Sequence, residues 1–398
     1  MSTIKTNAIL DASGGNTTTI NGTTPTAYNT MGKNRIINGA MEIDQRNAGA
    51  SVNNTNGNLY TLDRLNTFGS QASKFSVQQS TTAPTGFTNS AKITSLSAYT
   101  VGASEIFRLQ QVIEGFNCSD LAWGTASAKT VTLSFWVRSS LTGTFGGSLV
   151  MGPSGGLAYP YSYTINSADT WEQKSITISG PTTGAWSGTG NGNFVQLNFG
   201  LGVGSTYSGT AGAWSAVANY NSVTGATSVV GTSGATFYIT GVQLEVGSTA
   251  TEFERRPYGT ELALCQRYYT KSFNTLTAPS NGSSTTTLST YYGAYTSAID
   301  RPSTGGPPTA NDSTTAPNGT YGSLQAFPVT MRANPSITYY GNSNGNWWLQ
   351  GVGSGGATWY GPQGSMPGVA GFAPTFASPI STDAIGIVFG HWAASAEL

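Results

Sequence analysis

The chain has 398 residues, a formal net charge of zero and 9% charged residues, against roughly 25% in ordinary soluble domains. A surface so poor in charge cannot steer strongly to nucleic acid or anionic lipid; it stays in solution through hydroxyls and amides. With 11% aromatic residues and recurring short apolar runs, the composition is not that of a disordered chain either.

The start, MSTIKTNAIL, has no apolar stretch of the length a secretory signal requires, and no apolar run reaches the roughly 18 residues of a membrane-spanning helix. The chain is therefore expected to be made in a cytoplasm. Residues 1–34 are rich in Gly, Thr and Asn with isolated Ile and Leu, which predicts an extended arm ordered only against a partner. Residues 35–258 carry the period-2 pattern of half-buried strands. In KTVTLSFWVRSS, Val131, Leu133, Phe135 and Val137 share one face. In FVQLNFGLGV, Val195, Leu197, Phe199, Leu201 and Val203 do so, and KSITIS repeats the pattern with Ile176 and Ile178. FYITGVQLEV changes phase: Phe237 and Ile239 lie on one parity, Val242, Leu244 and Val246 on the other. A β-bulge near Thr240–Gly241 would restore a single buried face. Strands separated by Gly-rich turns predict an all-β antiparallel sandwich.

RRPYGTELALCQRYY breaks the strand pattern. Thr260 is the expected N-cap of a short linking helix, with Leu262, Cys265 and Tyr269 near one face. Residues 259–398 return to strand character as a smaller β domain. From Ser272 onward the charged side chains are Asp300, Arg301, Asp312, Arg332, Asp383 and Glu397. SNGSSTTTLST and RPSTGGPPTANDSTTAPNGTYG read as long loops. NGNWWLQGVGSGGATWYG crowds Trp347, Trp348, Trp359 and Tyr360 among glycines. Adjacent strand residues point to opposite faces, so part of this set is expected at a surface or between protomers, where aromatic patches mark interaction sites.

Several stretches resemble bacteriophage tail-fibre and related virion proteins. NRIINGAMEIDQRNAG followed by YTLDRL is similar to a motif near the start of such proteins, and GVQLEVGSTATEFERRPYGTELALCQRYY to the segment closing their jelly-roll domain. FPVTMRANPSI and the terminal HWAASAEL also match the pattern, and STIKTNAILDASGGN looks like the opening of cyanobacterial-phage virion proteins. The chain departs from the pattern at Leu65, where a tryptophan is usual after Asp63–Arg64, and at Asp44, where a tryptophan is common before the Gln-Arg pair. TVTLSFWVRSS and TFYITGVQLEVG look like strands of carbohydrate-binding jelly rolls. The resemblance implies a jelly-roll sandwich at 35–258 and a homotrimeric fibre subunit of the virion. Its arm, 1–34, would bind other phage tail or virion proteins, and its C-terminal domain would face a host glycan or outer-membrane receptor. A structural capsid, neck or tail appendage and a polysaccharide depolymerase are the alternative readings.

The candidate sites follow from these readings. With one histidine, His391, and two cysteines, Cys118 and Cys265, neither a His-dependent triad nor a His/Cys metal cluster is expected, and the thiols read as buried and free. No phosphate loop, nucleic-acid partner or cofactor is expected, and the chain is read as non-enzymatic. The glutamates that could support glycoside hydrolysis are Glu105, Glu114, Glu172, Glu245, Glu252, Glu254 and Glu261. Of these, Glu245, Glu252 and Glu254 sit with Arg255 and Arg256 where an ion-pair cluster at the domain junction is the better reading. Jelly rolls of the carbohydrate-binding type often hold calcium, for which Asp44, Asp63 and Glu245 are the candidates. Tyr159, Tyr161 and Tyr163 in YPYSY share one strand face, either as packing or as a sugar-stacking strip. With Trp347, Trp348, Trp359, Tyr360 and Trp392 they form the candidate ligand-binding set.

Overall fold

The computed structural model describes residues 32–152, 156–184, 190–282, 319–321, 325–341, 347–352, 358–360, 362–377 and 385–398. The expected N-terminal arm lies outside these residues except for Gly32–Asn34, and so do most of the two long loops of the C-terminal half.

The first strands are β1 (Val52–Asn53), β2 (Gly57–Tyr60), β3 (Asn66–Gly69), β4 (Phe75–Ser80), β5 (Ser90–Ser95) and β6 (Ile106–Glu114). There follow β7 (Val131–Ser139), β8 (Gly143–Met151), β9 (Ala158–Ile165), β10 (Glu172–Ile178) and β11 (Asn193–Val203). Two short strands, β12 (Ser208–Gly209) and β13 (Ser222–Val223), precede β14 (Thr236–Val246). Twelve of these strands build two six-stranded antiparallel sheets, β1-β4-β5-β14-β7-β10 and β2-β3-β6-β11-β8-β9. They form a jelly-roll β-sandwich.

The alternation of the sequence is what faces the sheets towards each other. Val131, Leu133, Phe135 and Val137 on β7 are fully buried, and so are Val195, Leu197, Phe199 and Leu201 on β11. Between the sheets the Phe135 ring meets Tyr163 at 5.0 Å and Phe199 at 5.1 Å, both edge to face, the arrangement that aromatic quadrupoles prefer. Leu65, where the resembling motif has tryptophan, is part of this core. The expected bulge is present: β14 shifts register against β7 between Thr240 and Gln243. Gly241 takes φ +61 there, and Phe237, Ile239, Val242 and Leu244 all end up buried.

The helix α1 spans Tyr258–Gln266 and starts two residues before the expected cap. Pro257 is the N-cap residue, and its carbonyl accepts the Thr260 and Glu261 N–H groups. Thr260 lies within the first turn, because a proline with an extended ψ already supplies the non-helical entry that a capping hydroxyl would otherwise stabilise. Tyr269 lies beyond the helix, on β15 (Tyr269–Lys271). Cys265 is buried beside Ile37, Ile43 and Tyr268; both cysteines are free and buried.

The C-terminal part contains β16 (Gly319–Tyr321), β17 (Gln325–Ala326), β18 (Ser336–Tyr340), β19 (Trp347–Val352) and β20 (Thr358–Tyr360). It continues with β21 (Pro362–Gly368), β22 (Gly371–Ala377), β23 (Ile385–Phe389) and β24 (His391–Ser395). Among the described residues these form small antiparallel sheets: β15-β24-β18, β16-β22-β17 with β21 also on β22, and β20-β19-β23. Phe327, Met331, Phe372, Trp392, Ala394 and Ala396 form their own core.

The two parts are joined by charge. Glu397 pairs with Arg46 at 2.8 Å and with the buried Arg64, whose guanidinium lies over the Tyr268 ring. Buried Glu114 accepts from Arg267 and from the Tyr268 hydroxyl. Gln45 donates its backbone N–H and its amide to Asp63, and the same amide reaches the Tyr269 carbonyl. Burial pushes Asp63 up to about 6 despite these donors. Lys271 donates to the carbonyls of Gln45, Thr275 and Thr277, and burial pulls it down to about 8.

Two predictions follow from this architecture. A Cβ at Gly241 would lie 2.7 Å from Phe87 Cζ in a left-handed backbone. Gly241→Ala should therefore lower unfolding stability by about 1–3 kcal/mol, read from denaturant melts. The buried His391 ring accepts or donates through Nδ1 to Ser272 Oγ and stacks on Phe273, and burial pulls its pKa down to about 4. Between pH 6.5 and 4 the unfolded chain binds a proton at His391 that the folded chain does not, so the contribution of this residue to stability should fall on acidification, opposite in sign to that of Asp63 over the same window. His391→Gln should remove the His391 contribution, so that its melting temperature falls less, or rises more, than that of the unsubstituted protein between pH 6.5 and 4.

Candidate functional site on the outer face of one sheet

The residues singled out in the sequence are dispersed. Tyr159, Tyr161 and Tyr163 are at most 8% exposed. They face the opposite sheet, with Tyr161 donating to the Asn198 carbonyl, so the YPYSY strip is core packing and offers no stacking surface. The reason is register: the parity of β9 that carries the tyrosines is the parity opposed to Phe135 and Phe145. Trp392 is likewise enclosed, edge to face with Phe372 at 5.2 Å, and is not a surface ring. Trp347 and Trp348 lie on β19, paired in register with Tyr360 and Trp359 on β20; the side chains of all four fall outside what the structure describes.

The carboxylates proposed for calcium are held by the chain's own donors. Asp44 caps the N–H groups of Asn47 and Gly49, Asp63 takes those of Gln45, and Glu245 takes Gln243 Nε2 and both the N–H and hydroxyl of Thr251. Among the described residues no group of three or more His, Cys, Asp or Glu is placed to hold a metal ion. The junction cluster is present with different pairing: Arg256 bridges Glu254 and Glu261, whereas Arg255 lies over the Phe87 ring.

A polar constellation not anticipated from the sequence lies on the outer face of the sheet β2-β3-β6-β11-β8-β9. Strand alternation turns Leu109 and Leu197 inward, and with them turns Arg108, Gln110, Gln196 and Asn198 outward. Register then aligns Asn66 on β3, Gln110 on β6, Asn198 on β11 and Ser148 on β8 in one row across the sheet. Gln110 Nε2 donates to Gln196 Oε1 at 2.8 Å and to Asn198 Oδ1 at 2.9 Å, and Asn198 Nδ2 donates to Ser148 Oγ at 3.1 Å. The Asn198 amide accepts through Oδ1 and donates through Nδ2, which fixes its orientation from both sides.

Beside the row, over the next pair of positions on β8 and β11, lies the segment carrying β13. Ser222 and Val223 sit on Gly146 and Gly200, where a Cβ would come within 2.5 Å and 2.8 Å of Ser222 Oγ. Glycine on two neighbouring strands is what lets the segment lie flat on the sheet. At its margin Asn221 accepts from Arg108 Nη1.

Two side chains on this face, Asn66 in the row and Arg108 beside it, are left with unpaired atoms. Asn66 is 2% exposed and its Oδ1 has no partner. Arg108 lies over the Phe68 ring at 5.3 Å, and its enclosed Nε has no partner either. No carboxylate offsets this burial, and desolvation pulls the guanidinium down to about 10. Unpaired side-chain atoms also occur on Arg35, Arg46 and Arg64, but those guanidiniums each have a carboxylate; here an amide and a guanidinium with no carboxylate lie near each other on one face, which makes this face the candidate site for a polar molecule. The signal was in the sequence, in the second parity of IFRLQQVIE and FVQLNFGLGV, but it becomes a site only once four strands are in register.

No protein-family model matches the sequence, and no curated protein matches it. Solved structures give low-scoring likenesses. One is the enzymatically active domain of tailspike protein 4 of bacteriophage CBA120, at 12% identity and TM-score 0.29, over 54% of this chain and 21% of that one. A putative sugar-binding protein from Bacteroides thetaiotaomicron gives 12% identity and TM-score 0.33, over 54% of this chain and 100% of that one. The family 11 carbohydrate-binding module from Clostridium thermocellum gives 12% identity and TM-score 0.26, over 51% and 97%. The chain thus spans about a fifth of the tailspike domain it resembles.

The seating of the β13 segment can be checked directly. Gly146→Val places branched carbons where Ser222 Oγ and the Val223 backbone now lie, so the segment must lift. Limited proteolysis should then cut between residues 205 and 225 faster than in the unsubstituted protein, while the sandwich remains folded by far-ultraviolet circular dichroism.

Proposed function

We propose that the chain is a non-enzymatic subunit of a phage tail fibre, a homotrimer that attaches the particle to a saccharide on the host surface. The observation that carries this reading is the outer-face row of amides with the unpaired atoms of Asn66 in it and Arg108 beside it. Side-chain amides that both donate and accept are suited to sugar hydroxyls, which do the same. The half-buried aromatic ring of Phe68 lies beside them under the Arg108 guanidinium.

Other features support the reading. The segments resembling tail-fibre proteins, Asn34–Gly49 and Gly241–Tyr269, are the ones that knit the sandwich to the C-terminal part. Four of the seven glutamates that could serve hydrolysis are held in ion pairs: Glu114 by Arg267, Glu172 by Lys174, and Glu254 and Glu261 by Arg256. Near-zero net charge suits adhesion through many weak contacts; three sites per fibre and several fibres per particle turn modest affinity into avidity. The C-terminal domain, with Trp347, Trp348, Trp359 and Tyr360, would be the distal end in this arrangement.

The full-length protein should retain host envelope saccharides on a glycan array and, added in excess, slow adsorption of the particle to its host. A protein that retains no envelope saccharide and leaves adsorption unchanged would rule this function out.

A further inference from the structure

Among the described residues most arginines that enter the fold meet a carboxylate: Arg35 meets Asp120, Arg46 and Arg64 meet Glu397, Arg138 meets Asp169, Arg256 meets Glu254 and Glu261, and Arg267 meets Glu114. Arg332 is satisfied by the carbonyls of Asn191, Ala396 and Glu397, and Arg255 is exposed. Arg108 differs from these in meeting neither a carboxylate nor a set of carbonyls, while an enclosed Nε without a partner is a feature it shares with Arg35, Arg46 and Arg64. Of its three nitrogens only Nη1 has a partner, the neutral Asn221 Oδ1. Nε is enclosed with none, and Nη2 makes no hydrogen bond to any described residue.

The free pair matters because of guanidinium geometry. Nε–H and Nη2–H lie on the same edge and point in parallel, the spacing that two oxygens of a carboxylate match. Asn221 occupies the opposite end and fixes the plane. Phe68 lies against the guanidinium, and Gly200, opposite Arg108 on β11, contributes no side chain to crowd it. Asn66, two positions along the same face in register with Gln110, holds an amide that is also without a partner.

We propose that this part of the outer face binds the carboxylate of an acidic saccharide, such as a uronic acid, through the Nε/Nη2 edge of Arg108, with Asn66 and Gln110 taking neighbouring sugar hydroxyls. The proposal rests on the saccharide-binding reading above and sharpens it from sugars in general to anionic ones. A cation taken out of water without an anion is costly, and the ligand supplies the missing charge. Low overall charge does not argue against this: one desolvated arginine recognises a carboxylate by geometry, whereas a charged surface would attract anions without discrimination.

The test probes an array of uronate-bearing oligosaccharides, each printed beside its carboxyl methyl ester, with the full-length protein and with Arg108→Gln and Arg108→Lys. Melting temperature serves as the fold control for both variants. The wild-type protein should bind acid over ester by about tenfold or more, the worth of a charge-assisted bidentate contact, and lose this preference as salt rises. Arg108→Gln should bind acid and ester alike while melting no lower than wild type, since it removes an uncompensated cation. Arg108→Lys, which keeps the charge and loses the parallel edge, should fall between. Equal wild-type binding to acid and ester would overturn the carboxylate assignment and leave saccharide binding standing. A preference for acid that survives Arg108→Gln in a folded protein would overturn the assignment to this part of the outer face. Wild-type binding to neither form of any oligosaccharide would overturn both the assignment and the reading beneath it.

Discussion

A guanidinium removed from water needs an anion beside it, or it holds its place at a continuing cost. The architecture turns on how that requirement is met at Arg64. Its side chain is buried against the Tyr268 ring and hydrogen-bonds the Val112 carbonyl, and its charge is met by Glu397. The bond therefore joins an early loop, a strand of the sandwich, the residue after the helix and the far end of the chain at one point. Arg46 adds a second cation to the same carboxylate from the face of Tyr269. Lys271 and Asp63 complete the junction through backbone carbonyls and the Gln45 amide. Several of the few charges this chain possesses meet where two bodies of structure are joined. The broad surfaces are left to amides and hydroxyls.

Set against Arg64, Arg108 is informative because the same requirement goes unmet. Both are arginines on or beside one sheet, and both cross an aromatic ring. At the junction the fold supplies the anion; on the outer face it supplies only Asn221. Sites that violate a rule obeyed elsewhere in the same molecule are where function is to be sought. The row of Gln110, Asn198 and Ser148 gives Arg108 a fixed neighbour, since every amide in it is already oriented by another group.

Much of the sandwich was legible before any coordinates. Period-2 runs located β7 and β11, and the phase change in FYITGVQLEV located the bulge that Gly241 makes. What periodicity cannot say is which parity faces another sheet. That is why the three tyrosines of YPYSY could be read either as core or as a sugar strip, and only the partner strands decide for core. The helix start was misplaced because Thr260 is a good capping residue in isolation, while Pro257 three residues earlier already ends the extended segment. The polar row was missed for a different reason. Asn66, Gln110, Ser148 and Asn198 lie on four strands far apart in sequence, each an unremarkable outward residue in its own strand, and they become one feature only through register. The open valences of Arg108 and Asn66 are harder still, since a missing partner cannot be read from a sequence.

The placement of β24 bears on the order in which the molecule can be completed. This strand lies between β15 and β18, and the residue that follows it closely, Glu397, bonds to Arg46 across 351 residues of chain. Loop closure over such a separation is slow and entropically unfavourable compared with hairpin formation. A nascent chain can build the sandwich strand by strand while Arg64 still lacks its anion. The C-terminal part acquires its middle strand, and the junction its carboxylate, only after residue 397 has been made. An incomplete chain would present an unpaired arginine and two open strand edges instead of a closed joint.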